Sequence, residues 1–126
     1  MGFSTASLCV KMKLIKYLAL LYFIQISHAA EYDKIYSGKY TWGHEVETFK
    51  PCNVKETYWV SGSSWVKVPL VNFYADNVNK PYEPIYIKFR GHLLDEEVDG
   101  FASRYNELIR ISEIKEMSLK VPTECK

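Results

Sequence analysis

The residues of this chain with the clearest capacity for chemistry lie close together. In GKYTWGHEVETFKPCNVKETYWV, Gly38 to Val60, His44 stands beside Glu45, Cys52 follows, and aromatics surround all three. A metalloprotease-type helix needs two histidines four residues apart with a glutamate between them. Here a single histidine stands in a run with strand periodicity. Adjacent strand residues point to opposite faces, so His44 and Glu45 are not expected to act on one ligand unless Gly43 bends the chain. A zinc centre needs three or four ligands, and the spacing of His44, His92 and the acids suggests none. A cysteine nucleophile needs an activated thiol and a base. Neither a Gly-x-Ser-x-Gly elbow nor a glycine-rich phosphate loop occurs. Glu45 with Glu47, and the acidic run DEEVDG at Asp95 to Gly100, supply carboxylates. A barrel rim and a solvated turn account for them. No catalytic residue, metal or cofactor is expected, and the chain is read as a non-enzyme.

The cysteines gain meaning from what precedes the domain. Met12 to Ala30, MKLIKYLALLYFIQISHAA, has a basic start at Lys13 and Lys16, an apolar run from Tyr17 to Ile26, and small residues at Ser27 and Ala29. That is the layout of a secretory signal peptide ending at Ala29, with Met12 as a candidate start. The apolar run is short for a bilayer core of ~30 Å. The expected organisation is a leader at 1–29 and one domain at 30–126, periplasmic or secreted, with no stable membrane span once the leader is removed. Loss of Lys11, Lys13 and Lys16 lowers the basic count from 16 to 13 against 15 acids, a net charge of −2. Phosphate-gripping proteins need a basic excess, so no nucleic-acid partner is expected. Cys9 leaves with the leader, and Cys52 and Cys125 remain as an even pair in an oxidising compartment, where pairing is expected.

Such residues must be positioned by strands. Gly38 to Val46 reads as a strand with Tyr40, Trp42, His44 and Val46 on one face, KPCNVKE as a turn, and Glu56 to Gly62 as a second strand, together a hairpin with a long loop. Leu70, Phe73, Tyr74 and Val78 recur at helical spacing; Ser63 or Ser64 could cap a start before Trp65, and the favoured reading is a short helix from about Pro69 to Asn77. PIYIKFRGHLL is the clearest strand: Ile85, Ile87 and Phe89 face one way, Tyr86, Lys88 and Arg90 the other. YNELIRISEIKEMSL supplies another, with Ile109 and Ile111 opposite Leu108 and Arg110, and a further strand fits near Lys34 or in the long last segment. The expected fold is mainly β: a small five-stranded, OB-like barrel with one short helix between strands 3 and 4.

Ten tyrosines and three tryptophans form a large amphipathic stock, suited to cores and interfaces alike. Trp42, Trp59 and Trp65 are assigned to the core. The candidate ligand-binding residues are Tyr58, Trp59, Tyr86, Lys88 and Arg90, with His44 and Glu45 on the rim.

GKYTWGHEVETFKPC, YWV, PIYIKFRGHL and the final cysteine of PTEC together resemble the OB-fold domain at the C-terminal end of NlpE-type envelope lipoproteins and related small exported bacterial proteins. The likeness runs from about Tyr36 to Cys125. It implies a five-stranded barrel, an envelope location and a role in contacting other molecules. This chain departs from those relatives in three ways. It has no cysteine directly after the apolar run, it has no Cys-x-x-Cys, and its second mature cysteine lies far toward the C-terminus. The expectation is a non-catalytic, exported binding module of the bacterial envelope, whose partner is an envelope protein or a small envelope ligand. The alternative is an inhibitor of an envelope-targeting hydrolase such as lysozyme.

Overall fold

A computed structural model describes residues 32–126. The leader expected at 1–29 lies outside the described residues. The elements are β1 (Lys34–Gly43), β2 (Val46–Pro51), β3 (Tyr58–Gly62), α1 (Ser64–Asn77), β4 (Ile85–Leu94) and β5 (Leu108–Ser118), with 3-10 turns at Gly100–Arg104 and Thr123–Cys125. The strands close into a barrel in the order β1-β2-β3-β5-β4. All neighbours are antiparallel except β3 and β5, which run parallel. The expected mainly β, five-stranded barrel with one helix between β3 and β4 is the fold observed.

The first strand differs from the sequence reading. The run expected to continue to Val46 breaks at His44 and Glu45, which form a two-residue turn between the paired Gly43 and Val46. Glu45, the second residue of the turn, adopts a left-handed φ of 61°. Gly43 therefore ends a strand and does not mark a bulge within one. The long loop expected inside the first hairpin instead joins β2 to β3.

Alternation fills the barrel. Tyr40, Phe49, Val60, Ile85, Ile87, Phe89, Ile109 and Ile111 point inward and are almost wholly buried. In β5 the inward positions then change spacing. Ile114 sits opposite Phe89 and Met117 opposite Ile87, with register shifts against β4 between Lys88/Phe89 and Arg90/Gly91. Each shift adds one residue to β5 and turns the next apolar side chain back inward.

The helix starts earlier than expected. Ser63 is its N-cap residue, and its carbonyl accepts the Val66 and Lys67 amides at 3.1 and 3.0 Å. Pro69 lies inside the helix, not at its start. Its missing N–H would have met the carbonyl of Trp65. Leu70 and Tyr74 are buried and join the barrel cluster, with Val66, Phe73 and Val78 partly buried beside them. Trp65, assigned to the core from the sequence, is 90% exposed. It lies on the helix face turned away from Leu70 and Tyr74.

Cys52 and Cys125 form the expected disulfide, spanning a sequence separation of 73. The Cys52 amide also donates to the Ser37 carbonyl at 2.9 Å, so the bridge fastens the C-terminal tail to the middle of β1. Closing a loop of 73 residues restricts the unfolded chain, and replacing both cysteines by serine should lower the unfolding free energy by about 4 kcal/mol. Urea melts of the oxidised protein and the double variant measure this. Coincident midpoints would show that the bridge carries no stability.

Candidate functional site

The barrel has two dissimilar ends. Helix α1 covers the end where β3 finishes and β4 begins. At the other end, β3 begins, β4 finishes and β5 begins, and the cover consists of the β2–β3 and β4–β5 loops. Here the structure holds a cavity of about 510 Å³ lined by Glu56, Thr57, Tyr58, Leu93, Arg104, Tyr105, Asn106 and Glu107. Tyr58 and Leu93 form its inner wall, because both pack against the core cluster. The Tyr58 phenol is pushed above its ordinary value, first by burial and then by the Glu107 and Glu56 carboxylates. The Tyr36 phenol is raised by burial and by Glu107. The mouth is thus an aromatic wall under a rim that carries Glu56 and Glu107 together with Arg104.

Trp59 does not face this cavity from the inside. It stands on the outer side of β3, where its ring lies 5.6 Å from Tyr105, and its amide donates to the Glu107 carbonyl at 3.4 Å. Leu108 and Ala102 are buried in the same region. The β4–β5 loop therefore folds back over the outside of β3, and Trp59 anchors it. Arg104 lies over the Phe101 ring at 5.6 Å.

The remaining candidates lie elsewhere. Tyr86, Lys88 and Arg90 occupy the outer side of β4, and the β4 run from Tyr86 to Leu94 separates Tyr86 from the Trp59 level by roughly 26 Å of strand. Tyr86 is 9% exposed, between Lys39 and Ser118 in register. Arg90 faces solvent but pairs with Glu113 at 3.3 Å. His44 and Glu45 meet at 3.3 Å in the exposed β1–β2 turn, on a shared side that strand alternation would have forbidden. His92 binds Asp33 at 2.6 Å just before β1, whereas His44 lies just after it, roughly 30 Å away along the strand. The Asp33 carboxyl is held below the usual range first by its hydrogen bond with His92, then by Ser112. Among the described residues, no three His, Cys, Asp or Glu side chains gather in a way that could hold a metal ion.

The structure thus brings Tyr58 and Trp59 to the two sides of one loop, and leaves the β4 row and the β1–β2 turn apart from them. Sequence reasoning missed Tyr105, Leu93, Glu56 and Glu107. Only closure of the barrel brings these four together, and nothing in their local spacing signals it. Compared with protein families, curated proteins and solved structures, the chain matches none.

A second network joins strand to helix. The buried Tyr40 hydroxyl donates to Glu47 Oε1 at 3.1 Å, and Lys67 Nζ of α1 lies 2.7 Å from Glu47 Oε2. The Tyr40 phenol is raised far above its ordinary value, first by burial and then by the Glu47 charge. An unfolded tyrosine ionises near pH 10, while folded Tyr40 keeps its proton. Its contribution to stability is therefore complete below about pH 10 and declines as the pH rises further. Tyr36, Tyr58 and Tyr74 shift in the same direction. Urea midpoints should hold steady from about pH 8 to about pH 10 and then fall. A Tyr40→Phe variant should show a shallower alkaline fall, and an identical fall would remove Tyr40 as a cause.

Proposed function

We propose that this chain is an exported, non-catalytic binding module of OB-like architecture that takes an envelope partner at its open barrel end. The observation that carries the reading is the cavity of about 510 Å³ between the β2–β3 and β4–β5 loops, walled by Tyr58 and Tyr105. Mouths of barrels are common binding sites, with an apolar wall for area and a few polar groups for orientation. The strand order with β3 parallel to β5, and a helix between β3 and β4, supports the OB-like assignment and the likeness to the NlpE-type domain. The Cys52–Cys125 bridge supports an oxidising compartment, periplasmic or secreted. No helix among the described residues is long and apolar enough to cross a membrane.

The partner's surface should be basic where it meets Glu56 and Glu107, which outnumber the single cation, Arg104, lining the cavity. Reversing both exposed glutamates to lysine should change stability by less than about 0.5 kcal/mol. Capture of the partner from envelope extract should fall sharply in the same variant. Capture undiminished by the reversal would move binding away from the mouth.

One observation favours the inhibitor reading as well. Asp95, Glu96, Glu97 and Asp99 are all exposed on the loop that forms one wall of the mouth, and a basic hydrolase such as lysozyme would meet them favourably. A lysozyme turnover assay with the protein in micromolar excess should then show inhibition that weakens as salt is raised. Undiminished turnover would discard the inhibitor reading and leave the binding module standing.

A further inference from the structure

A second cleft lies at the opposite end of the barrel, beside the β1–β2 turn and the last turn of α1. Its volume is about 350 Å³, and its walls include Trp42, Tyr74, Tyr82, His44, Asn79 and Lys80. None of the chemistry described at the mouth uses it.

Tyr82 is the unusual residue. Its φ is 61°, the left-handed region that a bulky side chain rarely enters. Such conformations persist only where the surroundings hold them, and they cluster at ligand sites. The surroundings here are specific. The Tyr82 ring packs against the backbone of Gly43, where an added Cβ would stand 2.5 Å from Cε1. The Tyr82 hydroxyl reaches back to donate to the His44 carbonyl at 3.4 Å. The ring is held at both ends and is still 50% exposed. The result is a fixed aromatic surface presented to water. Trp42 stands nearby, its ring edge-on to Tyr74 at 6.1 Å.

The polar groups narrow the ligand. No aspartate or glutamate lines the cleft, whereas Lys80 and His44 do, so the aromatic rings are not a cage for a cation. Of the carboxylates next to lining residues in sequence, Glu45 is turned to His44, Asp76 is exposed, and Glu83 lines a neighbouring cleft. Ala75 and Val78 also line the cleft, at the end of α1 where carbonyls lack intrahelical donors. The rim therefore combines donors, from Lys80, Asn79 and His44, with backbone acceptors. An aromatic platform ringed by both kinds of group suits a molecule with one apolar C–H face and a belt of hydroxyls. We propose that this cleft binds one neutral pyranose unit of a glycan, stacked on Tyr82 and Trp42 and hydrogen-bonded at its rim.

The test is an NMR titration of the full chain in its oxidised form, following the three tryptophan indole N–H signals. The probes are cellotetraose, maltotetraose and the tetramer of N-acetylglucosamine, each to about 10 mM, tenfold above the millimolar Kd expected of one shallow subsite. At least one tetrasaccharide should shift the Trp42 signal to saturation and leave Trp59 unmoved. Tyr82→Ala should weaken binding at least about tenfold, Gly43→Ala should weaken it by displacing the ring, and Tyr82→Phe should retain it. The Glu56→Lys/Glu107→Lys variant should bind the sugar as the parent does, which separates this cleft from the mouth. No shift of Trp42 with any of the three sugars would overturn the proposal. So would normal binding by Tyr82→Ala, or displacement of the sugar by tetramethylammonium, which would mark a cation site.

Discussion

The fold depends on barrel closure, in which β1, like the other strands, pairs along both edges at once. β1 is joined to β4 through Lys34 to Tyr40 and to β2 through Gly38 to Gly43, so Gly38, Lys39 and Tyr40 have neighbours on both sides. Closure brings backbones close together at Gly91, where a Cβ would overlap the Arg110 carbonyl oxygen, and at Gly38, where it would overlap the Lys50 carbonyl oxygen and stand 2.7 Å from Pro51 Cα. Tyr40, two residues on, is fully buried at the same crossing. A phenol carried into a closed core needs an acceptor. Glu47 of the adjoining strand supplies it, and Lys67 then answers the glutamate's charge. Because Lys67 belongs to α1, closing the sheet also fixes the helix that covers one end.

That chain of requirements makes the two ends chemically different. At the covered end Leu70 and Tyr74 complete the core, and Tyr74 donates to the Glu83 carbonyl at 2.6 Å, which holds the segment between α1 and β4. The same segment carries Pro81 and Tyr82 into the β1–β2 turn. At the open end no element plays the part of α1. Phe89 stacks on Tyr36 and meets Phe49 edge-on, with centroids at 5.6 and 4.8 Å, and this aromatic layer closes the core below the cavity. The loops above it are held by the Trp59–Tyr105 contact on the outside and by the disulfide that ties Cys52 to the tail. A rigid floor under loop walls is what a binding site requires, since the floor gives area and the loops give specificity.

Much of this frame was legible in the residues. The alternation in IYIKF placed Ile85, Ile87 and Phe89 inside, and the helical spacing of Leu70 and Tyr74 placed α1 between the right strands. The disulfide followed from the two cysteines that remain once a leader is expected to be removed. Three features were not legible, each for its own reason. The turn at His44 and Glu45 lacks the glycine or asparagine that usually announces a two-residue hairpin, so strand periodicity ran through it unbroken. Ile111, Ile114 and Met117 are spaced by three, which reads as helical until two bulges are known to reset the strand. Trp65 carries the composition of a core residue, and only the rotation of α1, set by Leu70, Tyr74 and Lys67, turns it to solvent. The candidate site suffered most, because a cavity is made by residues distant in sequence. Tyr58 was found from its aromatic character. Glu107 and Tyr105 lie about fifty residues away and become its neighbours only when β3 and β5 run parallel.

The placement of the titratable groups also bears on the proposed binding role. General acid–base chemistry needs a titratable group held within hydrogen-bond reach of a reacting atom, with a second group to orient it. His44 lines the cleft beside Tyr82, but its side chain is 87% exposed and its carboxylate neighbour is the adjacent turn residue. His92 has Asp33 to orient it, but the pair sits at the start of β1, where it joins that strand's entry to β4. Besides the phenols, indole, amide and ammonium groups that line the two clefts, Glu56, Arg104 and Glu107 line the mouth and His44 lines the cleft beside Tyr82. The two clefts stand at opposite ends of β1, roughly 20 Å apart from Tyr36 to Trp42 along the strand. The two proposed sites, one for a macromolecular partner at the mouth and one for a sugar ring beside Tyr82, are thus separate on the barrel.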